Sequence, residues 1–131
     1  MEEKFNNATP QRPSGHRTLD GQLVPVDLPR FIREIKNENV YHENGKNAIT
    51  VFKSESTTVT LVALKKGEIV KSGPEERNSL MIFHVLEGEL IFNAADFESY
   101  LSVNQLLNYH YDFPFTAQAQ DDCVCLLTVI K

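Results

Sequence analysis

The stretch Leu80-Met81-Ile82-Phe83-His84-Val85-Leu86-Glu87-Gly88-Glu89-Leu90-Ile91-Phe92 decides how this chain reads. Seven residues, all apolar but His84, run up to the turn signal Glu87-Gly88, and Leu90-Ile91-Phe92 resume the apolar character beyond it. Two strands joined by a tight turn follow from that pattern. Strand alternation puts Met81, Phe83 and Val85 on one face and Ile82, His84 and Leu86 on the other. The same texture extends both ways. Strands are expected near residues 48–53, 57–64, 69–71, 80–86, 89–93, 99–103, 105–109, 115–119 and 122–130. Lys66-Gly67, Gly73-Pro74, residues 94–97 and Asp112 fall between them as turns. Short strands at this spacing, with no helical pattern among them, mean an all-β sandwich or barrel.

Upstream the character differs. Leu28, Phe31, Ile32 and Ile35 fall at i, i+3, i+4 and i+7, and Asp27 stands where an N-cap belongs, with Pro29 in the first turn. A short amphipathic helix over residues 27–37 is expected to lie on the flank of the barrel. Leu23-Val24-Pro25-Val26 fits an edge strand, since proline would spoil a central one. Before it, Pro10, Pro13 and Gly15 discourage regular structure as far as about Gly21. Residues 37–47 read as a polar connector. The plan is therefore an arm over 1–26, partly flexible, a helix over 27–37 and a β barrel over 48–131.

Composition removes several function classes. The chain has 131 residues, 41% hydrophobic and 24% charged, which suits one folded domain. Thirteen basic against 18 acidic residues leave a net charge of −5, opposed to nucleic acid or an anionic membrane as partner. No apolar run approaches the ~20 residues of a membrane-spanning helix. Met1-Glu2-Glu3-Lys4 lacks the basic and apolar regions of a signal peptide. A reducing, cytoplasmic setting is the expectation. Cys123 and Cys125 share one strand face, side by side, a poor geometry for a disulfide, and read as small buried apolar residues.

Val85-Leu86-Glu87-Gly88-Glu89-Leu90-Ile91-Phe92, followed by a turn, a strand ending at Leu101 and the pair Leu106-Leu107, resembles the cupins. Leu61-Val62-Ala63-Leu64-Lys65-Lys66-Gly67 and the closing strand over 121–129 fit the same family. The likeness runs from Ala48 to the C-terminus and is nearest to small single-domain cupins. It implies a cupin-like double-stranded β-helix, or jelly-roll barrel, commonly dimeric, with any ligand site in the barrel mouth.

Cupins that are metalloenzymes resemble one another in three histidines and a glutamate that close around one metal. Laid on this chain, the first two histidine positions fall on Gly73 and Glu75, the glutamate on Met81 and the last histidine on Phe115. Only Glu75 retains a ligating side chain, so the resemblance implies no metal, no cofactor and no inherited catalytic residues. Met81, Phe83 and Phe115 make the would-be cavity apolar or fill it. Gly73, Glu75, Met81, Phe83, Tyr109, His110 and Phe115 are the candidate pocket residues, for a small apolar or aromatic ligand.

Three functions remain open. The first is a metal-free cupin that binds or regulates without catalysis. The second is a metal-independent isomerase or epimerase using His110 with Tyr109 or Tyr111 as acid and base. The third is a structural dimer with a closed core. A homodimer is expected, because the strand from Thr57 becomes apolar on both faces near Leu61–Leu64, as does the one carrying Ile82, His84 and Leu86, while a barrel has one interior. His84, on the face away from that interior, reads as satisfied by a neighbouring strand or the dimer partner.

Overall fold

A computed structural model gives the structure of residues 17–131 and, as backbone, the short strand β1 at Lys4–Asn6. Pro10, Pro13 and Gly15, on which the irregular arm was expected, lie outside the described residues. Beyond them the arm is more ordered than its composition predicts: β2 (Arg17–Asp20) pairs antiparallel with β1. The edge strand expected at 23–26 is instead irregular chain, with Leu23 85% exposed and Val26 turned in against the helix.

α1 spans Leu28–Asn37, and the Asp27 carboxylate accepts from the Arg30 amide at its N-terminus. The expected polar connector contains a second helix, α2 (Asn39–Asn44), which ends in Gly45 at φ +78° with its amide donating to the Tyr41 carbonyl. Tyr41, buried in the outer core, is what holds this turn and a half to the protein. One apolar anchor leaves no periodicity to read.

From Lys46 onward the structure is two antiparallel sheets. β3 (Lys46–Lys53), β4 (Thr57–Leu64), β11 (Cys123–Ile130), β6 (Leu80–Glu87) and β9 (Leu106–His110) form one, in that order. β5 (Ile69–Lys71), β10 (Phe115–Ala119), β7 (Leu90–Ala94) and β8 (Phe97–Leu101) form the other. This is the jelly roll expected, with strand ends within two residues of the sequence reading, although the two sheets do not close into one continuous ladder. At the β6–β7 turn Gly88 takes φ +76°, and a Cβ there would stand 2.1 Å from the Asp122 carbonyl oxygen, so only glycine fits.

Each face of the larger sheet has its own core. Inward, Leu64, Met81, Phe83, Val85, Cys123 and Cys125 meet Leu90, Phe92, Phe115 and Ala117 of the smaller sheet. Outward, Ile49, Leu61, Ala63 and Val124 are covered by Ile35, Tyr41 and the partly buried Phe31 and Ile32. The double apolar face of β4 is thus covered from within the chain, by its helices. Arg17 clamps the arm to this layer: its guanidinium donates to the Thr50 carbonyl and lies 5.5 Å from the Phe31 ring centre.

Candidate functional site

The mouth of the barrel is built by β6, β10 and the end of β9. Met81 and Phe83 point inward from β6 and Phe115 from β10, each no more than 3% exposed. Phe92 arrives from β7, and Tyr109 and Tyr111 follow along β9 and its exit. Their rings touch throughout. Phe83 meets Phe92 and Phe115 edge-on at 5.4 and 5.6 Å, and Phe92 stacks on Phe115 at 5.2 Å. Tyr109 is edge-on to Phe92 at 5.0 Å, and Tyr111 to Phe115 at 5.5 Å. These are the separations and tilts that aromatic quadrupoles favour. A void beside Phe83, bounded also by Val62, Leu64, Val70, Leu90 and Leu127 among others, amounts to about 10 Å³. That is at the lower limit for a single water molecule.

Of the candidate pocket residues, Met81, Phe83, Tyr109 and Phe115 therefore come together, as a plug rather than a cavity wall. Gly73 and Glu75 are not among these rings: they stand in the loop and the 3-10 turn Pro74–Glu76 between β5 and β6, with Glu75 exposed, and the loop is joined to Phe115 by the Ser72 hydroxyl, which accepts from the Phe115 amide at 3.2 Å. His110 is exposed, and alternation along β9 sends it to the outer face, away from Tyr109 and Tyr111. The Tyr109 hydroxyl donates to the Phe113 carbonyl at 2.7 Å and accepts from the Phe113 amide at 3.1 Å, which ties down the loop after β9. The geometry does not assemble an acid–base pair from His110 and either tyrosine. Phe92 and Tyr111 belong to the plug as fully as the expected residues. Inward alternation of Leu90, Phe92 and Ala94 was the signal for the first, while Tyr111 lies beyond the strand's end.

Cys123 and Cys125 are buried free thiols. Burial, with a contribution from the Glu87 charge, pushes Cys123 up to about 11, and burial with the neighbouring Cys123 pushes Cys125 up to about 12. Both stay protonated and poorly nucleophilic. Among the described residues no group of three or more His, Cys, Asp or Glu could hold a metal ion, and no helix is long and apolar enough to cross a membrane.

A larger opening lies on the side of the barrel, lined by residues of β3, β4 and β5. The strand edges β3 and β5 face each other without pairing, and a cleft of about 680 Å³ opens between them. Val62, Leu64 and Val70 form its floor, and Lys46, Glu68 and Lys71 stand among its lining residues. Nothing in the spacing of the sequence marks these residues as a group, because they come from three separate strands.

No protein-family model and no curated protein matches this sequence. Solved structures match its fold. The protein TT1209 from Thermus thermophilus aligns with TM-score 0.68 and 23% identity, over 82% of this chain and 97% of its own. A cupin superfamily protein from Desulfitobacterium hafniense aligns with TM-score 0.61 and 17% identity, over 67% and 79%. An RmlC-like cupin from Desulfovibrio desulfuricans gives 0.59 and 20%, over 67% and 84%. The chain has the cupin fold.

Proposed function

We propose that this chain is a metal-free, non-catalytic cupin module, a homodimer that acts by binding rather than by chemistry in the barrel mouth. The aromatic plug carries the reading. Ligands at a metal centre must be small, polar and convergent. Met81 and Phe115 stand where the resemblance puts two of those ligands, Met81 buried in the inner core and Phe115 packed against Phe83 and Phe92. A substrate in the mouth would have to displace five rings from favourable contacts. The experiment is a titration of the tag-free protein with zinc, manganese, iron(II) and nickel, followed by elemental analysis. No stoichiometric uptake is expected, and a metal-to-protein ratio near one overturns the reading.

The homodimer is supported by the outer face of β11, β6 and β9. In register across those strands lie Leu126–His84–Leu106, Thr128–Ile82–Asn108 and Ile130–Leu80–His110. None of these nine residues is an acid, a lysine or an arginine, in a chain that is 24% charged. The helices cover Leu126 in part and leave Leu106 56% exposed. Depletion of charge at a patch centre is the mark of an interface. Light scattering should give twice 14.9 kDa, and Ile82→Lys should give the monomer mass. A wild-type monomer refutes the dimer and leaves the barrel reading intact.

A further inference from the structure

We infer that the outer edge of β8 is a docking site for an extended, lysine- or arginine-rich segment of another protein, which joins the smaller sheet as an added strand. The inference deepens the binding role proposed above by giving it a partner, and it rests on that reading.

The backbone edge comes first. β8 pairs in unbroken register with β7, and among the described residues no strand lies on its other side. Sheet edges are commonly blunted by a bulge, a proline, a lysine or sheer brevity. β3 has a register shift between Thr50 and Phe52 and a lysine at each end, and β5 is three residues long and ends in Lys71. β8 has none of these devices. The arm cannot serve instead, because it lies at the wrong side of the barrel. β2 packs beside β3, whereas β8 leads through residues 102–105 into β9, at the opposite edge of the larger sheet. Those two edges are four strand spacings apart, about 19 Å, and β8 stands in the other sheet, ~10 Å behind. Residues 7–16, closed by the Asn6–Arg17 pair, extend about 18 Å from it even when fully stretched, and residues 1–3 reach less far.

Charge selects the partner. The sequence from Asn78 to Ile130, which supplies β6 through β11, has seven acidic residues and no lysine or arginine. Two of those acids, Asp96 and Glu98, are exposed at the start of β8, while β9, the remaining sheet edge, has none. In register across the smaller sheet, Glu98 is followed by Asn93, Thr116 and only then Lys71. That lysine is three strand spacings away, about 14 Å, beyond the ~10 Å screening length at 0.1 M salt. Aromatic surface lies beside the carboxylates: Phe97 is 72% exposed and Tyr100 67%. Glu98 stands close enough to the Tyr100 hydroxyl to push it up, chiefly by a side-chain hydrogen bond. A lysine or arginine laid there meets a carboxylate and a ring at once. Pairing β8 with its own copy would instead bring four carboxylates together, which disfavours that occupant. The dimer face proposed above belongs to the larger sheet, so one protein can use both surfaces.

The experiment uses the full chain and an end-capped heptapeptide of alternating lysine and valine, followed by calorimetry and by backbone-amide hydrogen exchange. One control peptide has glutamate for each lysine. The other has proline for each valine, which keeps the charge but removes donors and β geometry. The lysine–valine peptide should bind at about one per chain and slow exchange within residues 97–101. The glutamate peptide should not bind, and the proline peptide should bind about tenfold more weakly or worse. The double variant Asp96→Lys, Glu98→Lys should also weaken the lysine–valine peptide by about tenfold. Equal binding of the proline peptide, unchanged affinity in the double variant, or protection at 106–110 instead of 97–101 overturns the proposal. So does protection of 97–101 that grows with protein concentration alone, since a second copy then holds the edge. Metal uptake refutes the non-catalytic reading by a separate measurement. A metal-binding protein that still protects 97–101 with peptide keeps this site, and a metal-free one that ignores the peptide loses only this site.

Discussion

The rings of Phe92 and Phe115 lie stacked, their centres 5.2 Å apart and their planes inclined by only 19°. They come from adjacent strands of the smaller sheet and face the larger one, where Phe83 meets both edge-on. This contact fills the mouth of the jelly roll from the inside. A change at either ring is felt by the whole cluster.

Phe115→Ala should therefore cost ~3–5 kcal/mol, the loss of a buried ring together with the cavity it leaves. That cavity would be apolar and dry, so indole or benzene should raise the melting temperature of the variant and leave the wild type unaffected. Chemical denaturation and a ligand thermal shift check both halves. An unchanged midpoint would mean that the mouth is open.

Ile35 anchors α1 with no exposed surface, and the Asn47 side-chain amide donates to the Ile35 carbonyl at 3.0 Å and to Glu38 Oε1 at 2.7 Å. Asn47 thus satisfies a carbonyl at the end of the helix that has no partner within it. Ile35→Ala should cost ~2–5 kcal/mol and Asn47→Ala ~1–3 kcal/mol. The double variant should lose less than the two values added together, since both act on the docking of one helix. Strict additivity in urea denaturation would show that the amide does not hold α1.

Gly88 and Gly67 both take positive φ, but they differ in what surrounds them. A Cβ at position 67 meets nothing within 4 Å, whereas one at 88 strikes the Asp122 backbone. Gly67→Ala should cost the backbone term alone, about 1 kcal/mol. Gly88→Ala should cost distinctly more and loosen the start of β11. Equal losses in a denaturation series would disprove the close approach.

The raised thiols give a pH dependence of definite sign. Unfolded cysteines titrate at about 8.5, below the values of about 11 and about 12 set for Cys123 and Cys125 by burial. Above the unfolded value the unfolded chain loses these protons first, so stability falls as pH rises from there towards 11 to 12. It is unaffected by these groups at neutral pH. Iodoacetamide at mildly alkaline pH should leave both thiols intact in the native protein and modify both in denaturant. Native alkylation at the denatured rate would contradict their burial.

Local pattern in the amino-acid sequence determined the all-β class, the strands from β3 to β11 and the α1 helix with its Asp27 cap. Period-two alternation, turn residues and a capping residue act within a few positions of each other, so they can be read along the chain. The inward aim of Met81, Phe83 and Val85 was equally legible. Tertiary structure alone decided the rest. α2 forms because one tyrosine is buried, and β2 because a distant strand pairs with it, and neither leaves a local period. Whether apolar side chains line a cavity or fill it depends on distances between rings from β6, β7, β9 and β10, which no single segment encodes. The side cleft brings together residues of β3, β4 and β5, which only the packing of the two sheets makes neighbours. Sequence specifies which faces are apolar, and packing decides which of those faces meet.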